Sequence, residues 1–322
     1  MNLFFQFMLV LVLIACGLRV GAQDPPIPEE FHPIRIDVPA ELEKVRGNAS
    51  SKIPFGFNLG QSVRFQQVFH ASQFSKLPQG GAFLTWFQNI RGACGPGPGV
   101  LGMFTNCQIR MSTTARGPDQ LSSIFAENVG PDETVLRTGR IFASNGGSCS
   151  SFGYGTGTLF LDIPFYYNPH TGRNLLLELR VSDPNYTDGG GQVRMETQSV
   201  TNDSVSRIAA FSSTATTADV VDTAGLIATF IFHAAPALNI WMETNNIIIA
   251  WPPHPKQFAL QWGEGLKSSD RWQNYLQAID NSSGFPTAII PKSSLVKDRF
   301  FRLFWDSPQP GLVIPPRTMS SQ

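Results

Sequence analysis

GTLFLDIPFYYNPHTGRNLLLELRVS, residues 157–182, decides the fold class of this 322-residue chain. Residues 158–167 are apolar and aromatic. Leu175, Leu177, Leu179 and Val181 fall on alternate positions, so they share one face of a strand. Between the two runs stands Asn168-Pro169-His170-Thr171-Gly172-Arg173, rich in turn formers. Two strands about such a loop predict an antiparallel hairpin. Leu176 is apolar on the other face, so the second strand is expected to be buried on both sides, as a central sandwich strand is.

Outward from this stretch the pattern repeats. Strand-like runs fall at 63–69, 82–90, 107–112, 135–142, 193–197, 207–211 and 226–232. Turn signals separate them, among them Gln79-Gly80-Gly81, Asn145-Gly146-Gly147 and Asp188-Gly189-Gly190-Gly191. Residues 119–126 predict a helix of two turns, with Asp119 as N-cap and Leu121, Ile124 and Phe125 on one face. Many short strands without βα alternation predict an all-β fold, a jelly-roll-like β-sandwich over 52–233. Residues 23–51 are Pro-rich and read as an arm, with an edge strand suggested where Ile34, Ile36 and Val38 alternate. Ala234-Ala235-Pro236-Ala237 reads as a linker to a second unit, 234–306, followed by a polar tail, 307–322.

The chain holds 24 basic and 24 acidic residues, and only 15% of its residues are charged. That balance argues against a nucleic-acid partner, which needs a basic stripe. Residues 3–15 are almost wholly apolar, and Val20-Gly21-Ala22 offers a cleavage site before Gln23, so 1–22 read as a signal peptide. The apolar run is too short for a comfortable membrane span, and no transmembrane segment is expected in the mature chain. The expected location is secreted or envelope-associated. Leu13-Ile14-Ala15-Cys16 also resembles a lipobox, so a lipoprotein anchored through Cys16 is the alternative. Export permits disulfides. The Gly/Pro-rich loop between Cys94 and Cys107 predicts a bond between those two, with Cys149 left free or paired to another molecule.

Two resemblances sharpen the division. Arg64-Phe65-Gln66-Gln67-Val68-Phe69, Met111-Ser112-Thr113-Thr114, residues 121–130 (LSSIFAENVG), residues 174–180 and Asp203-Ser204-Val205-Ser206-Arg207 together resemble a family of uncharacterised exported bacterial proteins. The resemblance implies compartment and a jelly-roll-like sandwich, and no activity. Ile247-Ile248-Ile249-Ala250-Trp251, Phe258-Ala259-Leu260-Gln261, Leu266, Trp272 and Arg299-Phe300-Phe301-Arg302-Leu303 resemble a small β-module of verrucomicrobia-like exported proteins. That implies a smaller, fibronectin-like β-sandwich. Its expected core is Trp251, Phe258, Leu260, Leu266, Trp272, Phe301 and Leu303. Where the module's usual pattern has a small polar residue, this chain has Trp262.

Chemistry-bearing motifs are sparse. No two of the five histidines stand at i,i+4, and none has a Cys or carboxylate at metal-ligand spacing. There is no Gly-x-Ser-x-Gly elbow. Asp183, Asn185 and Asp188, in a Gly-ended loop, could supply oxygen ligands to a weak Ca²⁺ site, although a polar turn is the plainer reading. No other cofactor is expected. Two functions stand. One is a non-catalytic envelope or extracellular protein, adhesive or glycan-binding, with Trp241, Trp262 and Trp305 offering flat rings to polysaccharide or envelope components. The other is a secreted hydrolase whose site is assembled from separate loops. A sheet face carrying exposed aromatics favours the first. A convergent acid pair or a Ser/His/Asp cluster in one cleft favours the second.

Overall fold

The structure is a computed structural model. It describes residues 33–56, 61–94, 99–145, 155–188, 192–236, 238–251, 258–264, 272–282, 285–294 and 299–304, with the backbone alone at 183–188. The chain divides into two compact units between His233 and Ala234.

In the first unit the strands are β1 (Ile34–Val38), β2 (Ala49–Ser51), β3 (Val63–Phe69), β4 (Ala82–Ile90), β5 (Val100–Thr114), β6 (Thr134–Asn145) and β7 (Leu159–Tyr167). There follow β8 (Asn174–Asp188), β9 (Met195–Ser199), β10 (Val205–Ala210), β11 (Val220–Asp222), β12 (Ala224–Leu226) and β13 (Ala228–Ala234). One sheet runs β1-β13-β4-β7, a second β11-β10-β3-β8-β5-β6, and a third, short one β12-β9-β2. Take β1, β3, β4, β5, β6, β7, β8 and β13 as first to eighth. The four-stranded sheet then runs first, eighth, third, sixth. The heart of the six-stranded sheet runs second, seventh, fourth, fifth. That is the winding of a jelly roll, two Greek keys folded over one another. β9–β12 are an insertion between the seventh and eighth strands, and β10 and β11 widen the six-stranded sheet.

The alternation read in residues 175–181 is the alternation of the core. Leu175, Leu177, Leu179 and Val181 of β8 meet Val63, Phe65 and Phe69 of β3 inside the sandwich. The ring of Phe230 lies 5.1 Å from Phe69, 5.6 Å from Phe74 and 5.0 Å from Phe87. Leu176 turns to the other face, where Val68, Ile208, Leu121 and Phe125 form a second apolar cluster. β8 is therefore central and buried on both faces, between β3 and β5.

The hairpin is not formed. β7 pairs with β4, whereas β8 pairs with β3 and β5. Residues 168–173 carry the chain from one sheet to the other. Asn168 accepts from the His170 N–H at 3.0 Å, Pro169–Thr171 make a single 3-10 turn, and Gly172 closes it at φ +76°. Tyr167 Oη donates to the Arg173 carbonyl at 2.9 Å across this corner. Six residues are enough to cross the roughly 10 Å between packed sheets. Nor is there a helix at 119–126. Asp119 sits at φ +59°, and its carboxylate accepts from the Asn202 N–H at 2.7 Å instead of capping its own segment. Ile124 makes an isolated bridge to Thr217, and only Phe125–Asn128 complete a 3-10 turn. The edge strand suggested at Ile34, Ile36 and Val38 is formed. β1 pairs along its length with β13 and buries Ile36 and Val38 in the sandwich.

The expected Cys94–Cys107 bond is also corrected. Cys94 is disulfide-bonded, but Cys107 keeps its thiol. Cys107 lies in mid-β5, opposite Gly139 and Val181, with its side chain in the core and Sγ donating to the Phe104 carbonyl at 3.7 Å. A strand position facing between two sheets cannot reach out to the preceding loop. Cys16 and Cys149 lie outside the described residues. The Ca²⁺ loop is likewise a strand. Residues 183–188 continue β8, with Pro184 opposite Phe104 and Asp188 opposite Leu101.

The second unit comprises β14 (Asn239–Glu243), β15 (Asn246–Ala250), β16 (Ala259–Gly263), β17 (Gln273–Asn274), β18 (Thr287–Pro291) and β19 (Phe300–Phe304). Two antiparallel sheets, β14-β15-β18 and β17-β16-β19, close on Ile247, Ile249, Trp251, Leu260, Ile290 and Phe301. This is a small β-sandwich. Leu303 packs against that cluster, and Phe258 lies half-buried beside β16. Trp272 is not in the core, and Leu266 is outside the described residues. Among the described residues no helix is long and apolar enough to cross a membrane.

Candidate functional site

The outer face of the four-stranded sheet carries an aromatic platform. Leu84 and Phe87 of β4 both point into the core, so the chain between them must take up an extra residue. That break falls beside a register shift at which β7 spends five residues, Phe165 to Phe160, against two of β4, Leu84 to Trp86, and Trp86 stands on the outer face. Trp86 stands directly opposite Phe160 of the edge strand β7, with ring centroids 5.8 Å apart at 49°. Phe160 is 62% exposed. On its other side Trp86 lies 5.2 Å from the ring of His233, so three rings cross β13, β4 and β7 in a row from buried to exposed.

His233 anchors the buried end. Its Nδ1 lies 2.8 Å from Thr85 Oγ1, which is also 3.2 Å from the Ile231 carbonyl. The Thr85 hydroxyl has one proton. When it donates to Ile231 it must accept from Nδ1–H, which sets the tautomer. Burial pushes the imidazole down to about 4, so the ring is neutral at ordinary pH.

Polar groups rim the platform. Gln88 of β4 accepts from Arg35 Nη1 at 2.9 Å, and Arg35 is itself held by both carboxylate oxygens of Asp37. Arg137 of β6 donates to the Phe160 carbonyl at 2.9 Å and lies 3.8 Å from Asp162. An amide, two guanidinium groups and carboxylates thus surround two tilted rings. This arrangement can stack against a flat apolar face and hydrogen-bond to the hydroxyl groups at its edge.

The other charged clusters serve the fold. Glu178 is buried on the outer face of β8. Burial works against its charge, but hydrogen bonds from Arg64 at 2.9 Å, Arg180 at 2.7 Å and Gln66 at 2.6 Å hold it below the usual carboxylate range. Arg64 lies 4.5 Å over the Phe125 ring, so the network fastens the covering loop to the sheet. Arg91 donates to the carbonyls of Glu43 and Val45 at 3.0 Å and lies 3.7 Å from Asp37, tying down the segment after β1. His70 Nδ1 meets Ser72 Oγ at 2.8 Å, and His170 Nε2 meets the Leu77 carbonyl at 2.9 Å. Among the described residues no three metal-ligating side chains gather.

The tryptophans singled out in the sequence are not brought together. Trp241, on β14, lies half-buried on the face away from its module's core, in a row with Ile248 and Ile289. Its indole N–H donates to Glu243 at 3.0 Å. Trp262, on β16 in the other sheet, packs against the core, and the Arg299 guanidinium lies over its ring at 4.2 Å. Trp305 is outside the described residues. Trp86 and Phe160 escaped the sequence reading. One signal was present: Asp162, two residues on, shares a strand face with Phe160 and marks it as outward. Comparison with protein-family profiles, curated proteins and solved structures returned no match to the chain.

Proposed function

We propose that this is an exported, non-catalytic bacterial protein of the envelope or extracellular space that binds polysaccharide through the Trp86–Phe160 platform. One observation carries the reading: a large apolar ring stands in solvent on an edge strand, braced by a second ring and rimmed by hydrogen-bonding side chains. Exposed aromatic faces beside polar groups match pyranose rings, which are apolar on one face and hydroxylated at the edge. The signal-like segment 1–22 supports export, and so does the bonded state of Cys94.

The test is retention on insoluble cellulose, chitin and xylan, with quenching of intrinsic fluorescence by the soluble oligosaccharides. Wild type should be retained by at least one. Phe160→Ala should lose both signals at nearly unchanged thermal stability, because the ring is mostly in solvent. Retention that survives Phe160→Ala and Trp86→Ala but is lost in Trp241→Ala would move the binding face to the second unit. Turnover of a glycan or ester, abolished by a single side-chain replacement, would establish the hydrolase instead.

A further inference from the structure

We propose that the second unit carries an anion-binding site at Arg302 that takes the carboxylate or sulfate groups of an acidic polysaccharide. The site is separate from the Trp86–Phe160 platform, and either can fail alone.

Period two along β19 puts Phe301 and Leu303 toward the core and Arg302 and Phe304 on the opposite face. There Arg302 stands opposite Gln261 of β16. Its Nε donates to Gln261 Oε1 at 2.8 Å, and Gln261 Nε2 donates in turn to Asn274 Oδ1 at 2.9 Å. The guanidinium carbon lies 4.2 Å from the Trp272 ring centroid and 5.7 Å from that of Phe304. The group is therefore fixed at its Nε end and over its planar face.

Among the described residues its remaining edge has no hydrogen-bond partner. A guanidinium has five N–H donors, and Gln261 takes one. Among the described residues no carboxylate pairs with Arg302. In the first unit the practice is different: Arg35, Arg46, Arg64, Arg91, Arg180 and Arg207 each lie within 2.7–3.7 Å of an Asp or Glu. Burial lowers the pKa of Arg302 from its usual value, and no neighbouring acid offsets it. A half-buried cation without a counter-ion is costly to keep, and an incoming anion removes that cost. The planar fork matches two oxygens of a carboxylate or sulfate, and it is already oriented. Trp272 and the 37% exposed ring of Phe304 flank it as surfaces for the sugar that bears the anion, while the Asn274 amide can donate to a hydroxyl. A purely structural stack, tying β17 to β19, would show the same rings but would not bind a polyanion.

The measurement is affinity electrophoresis of the full chain in gels containing polygalacturonate, dextran sulfate or neutral dextran. The gels are run at alkaline pH, above the chain's neutral point near pH 7, so the chain migrates as an anion and its overall field does not favour a polyanion. Wild type should be retarded by at least one polyanion and not by dextran. Retardation by polygalacturonate identifies the carboxylate, and by dextran sulfate alone the sulfate ester. Arg302→Gln should weaken the apparent affinity roughly tenfold or more. Arg302→Lys keeps the charge, loses the fork and should also weaken it. Arg140→Gln, at an exposed position of β6, should leave it unchanged. No retardation by either polyanion overturns the proposal, as does retardation that survives Arg302→Gln or falls equally in Arg140→Gln. Should Arg302→Gln fail to fold, undiminished retardation of Arg302→Lys overturns it.

Discussion

At the scale of single residues, a buried histidine and a half-buried aspartate make stability depend on pH in opposite directions. His233, under Trp86, is pushed by burial from the usual 6.5 to about 4. The unfolded chain therefore binds its proton first, and the contribution of His233 is whole above about pH 6.5 and lost as pH falls toward 4. Allowing for screening by nearby solvent, the loss amounts to about 1 kcal/mol by pH 5. Asp203 behaves inversely. Burial, and behind it the charges of Asp119 and Glu41, raise its carboxyl to about 6, although the Val205 N–H donates to it at 2.9 Å. The folded state holds a proton that the unfolded state gives up, so this contribution is present at low pH and lost as pH rises through about 6. Thermal melts at pH 7, 5 and 4 separate the two. Asp203→Asn keeps an acceptor for Val205 and should raise the melting temperature at pH 7 while leaving it unchanged near pH 4. His233→Phe should flatten the acid limb between pH 7 and 5. A His233→Phe curve parallel to wild type there would show that the imidazole does not carry that window.

At the scale of elements, Trp251 and Trp272 make the contrast. Trp251 follows β15 and closes on the module's core at 4% exposure. Trp272 precedes the two-residue strand β17 and lies on the outer face against Arg302. Trp251→Ala should cost about 3–5 kcal/mol in urea unfolding, the scale of a lost core aromatic. Trp272→Ala should cost about 1 kcal/mol, the scale of a cation–π contact at a half-open site. The reverse order would place Trp272 in the core. The same difficulty explains what was legible beforehand. Strand β3 and the first half of β8 read correctly because apolar residues recurring on one face specify a pleated, packed surface. The hairpin of β7 and β8 was misread because the pattern records that both strands face one core. It does not record whether they pair edge to edge or face each other across it. The 3/4 spacing of Leu121, Ile124 and Phe125 mimicked a helix, although Leu121 and Phe125 are loop residues pinned to the outer face of the sheet. Trp86 was illegible for a third reason. Counting pleats from Leu84 puts it inside, and the break in the pairing of β4 with β7 beside it leaves no mark in composition.

At the scale of the whole molecule, the jelly roll is closed by its last strand. β13 inserts between β1 and β4, and Thr229 Oγ1 donates to Asp37 across 192 residues of chain. Just before it, the Gln67 side chain donates to the Leu226 carbonyl at 3.0 Å and accepts from the Leu226 N–H at 2.7 Å. Leu226, Phe230 and Phe232 enter the core at this step, with Phe230 touching Phe69, Phe74 and Phe87. Three large apolar side chains bring about 2 kcal/mol each from burial alone, against a total domain stability of about 5–15 kcal/mol. Nearly all cooperativity should therefore wait for β13, and pairing so distant in sequence makes folding slow, on the order of milliseconds to seconds. Among the described residues the core of this unit draws on residues up to Phe232, and that of the second unit on residues from Leu238. A fragment of residues 33–236 should thus show a near-ultraviolet circular dichroism signal and a single sigmoidal urea transition. A fragment of residues 33–222 leaves β1 and β4 without their common partner and should show neither. If the shorter fragment melts with the same midpoint and slope as the longer one, the eighth strand is an addition to a sandwich already formed, and cooperativity does not wait for β13.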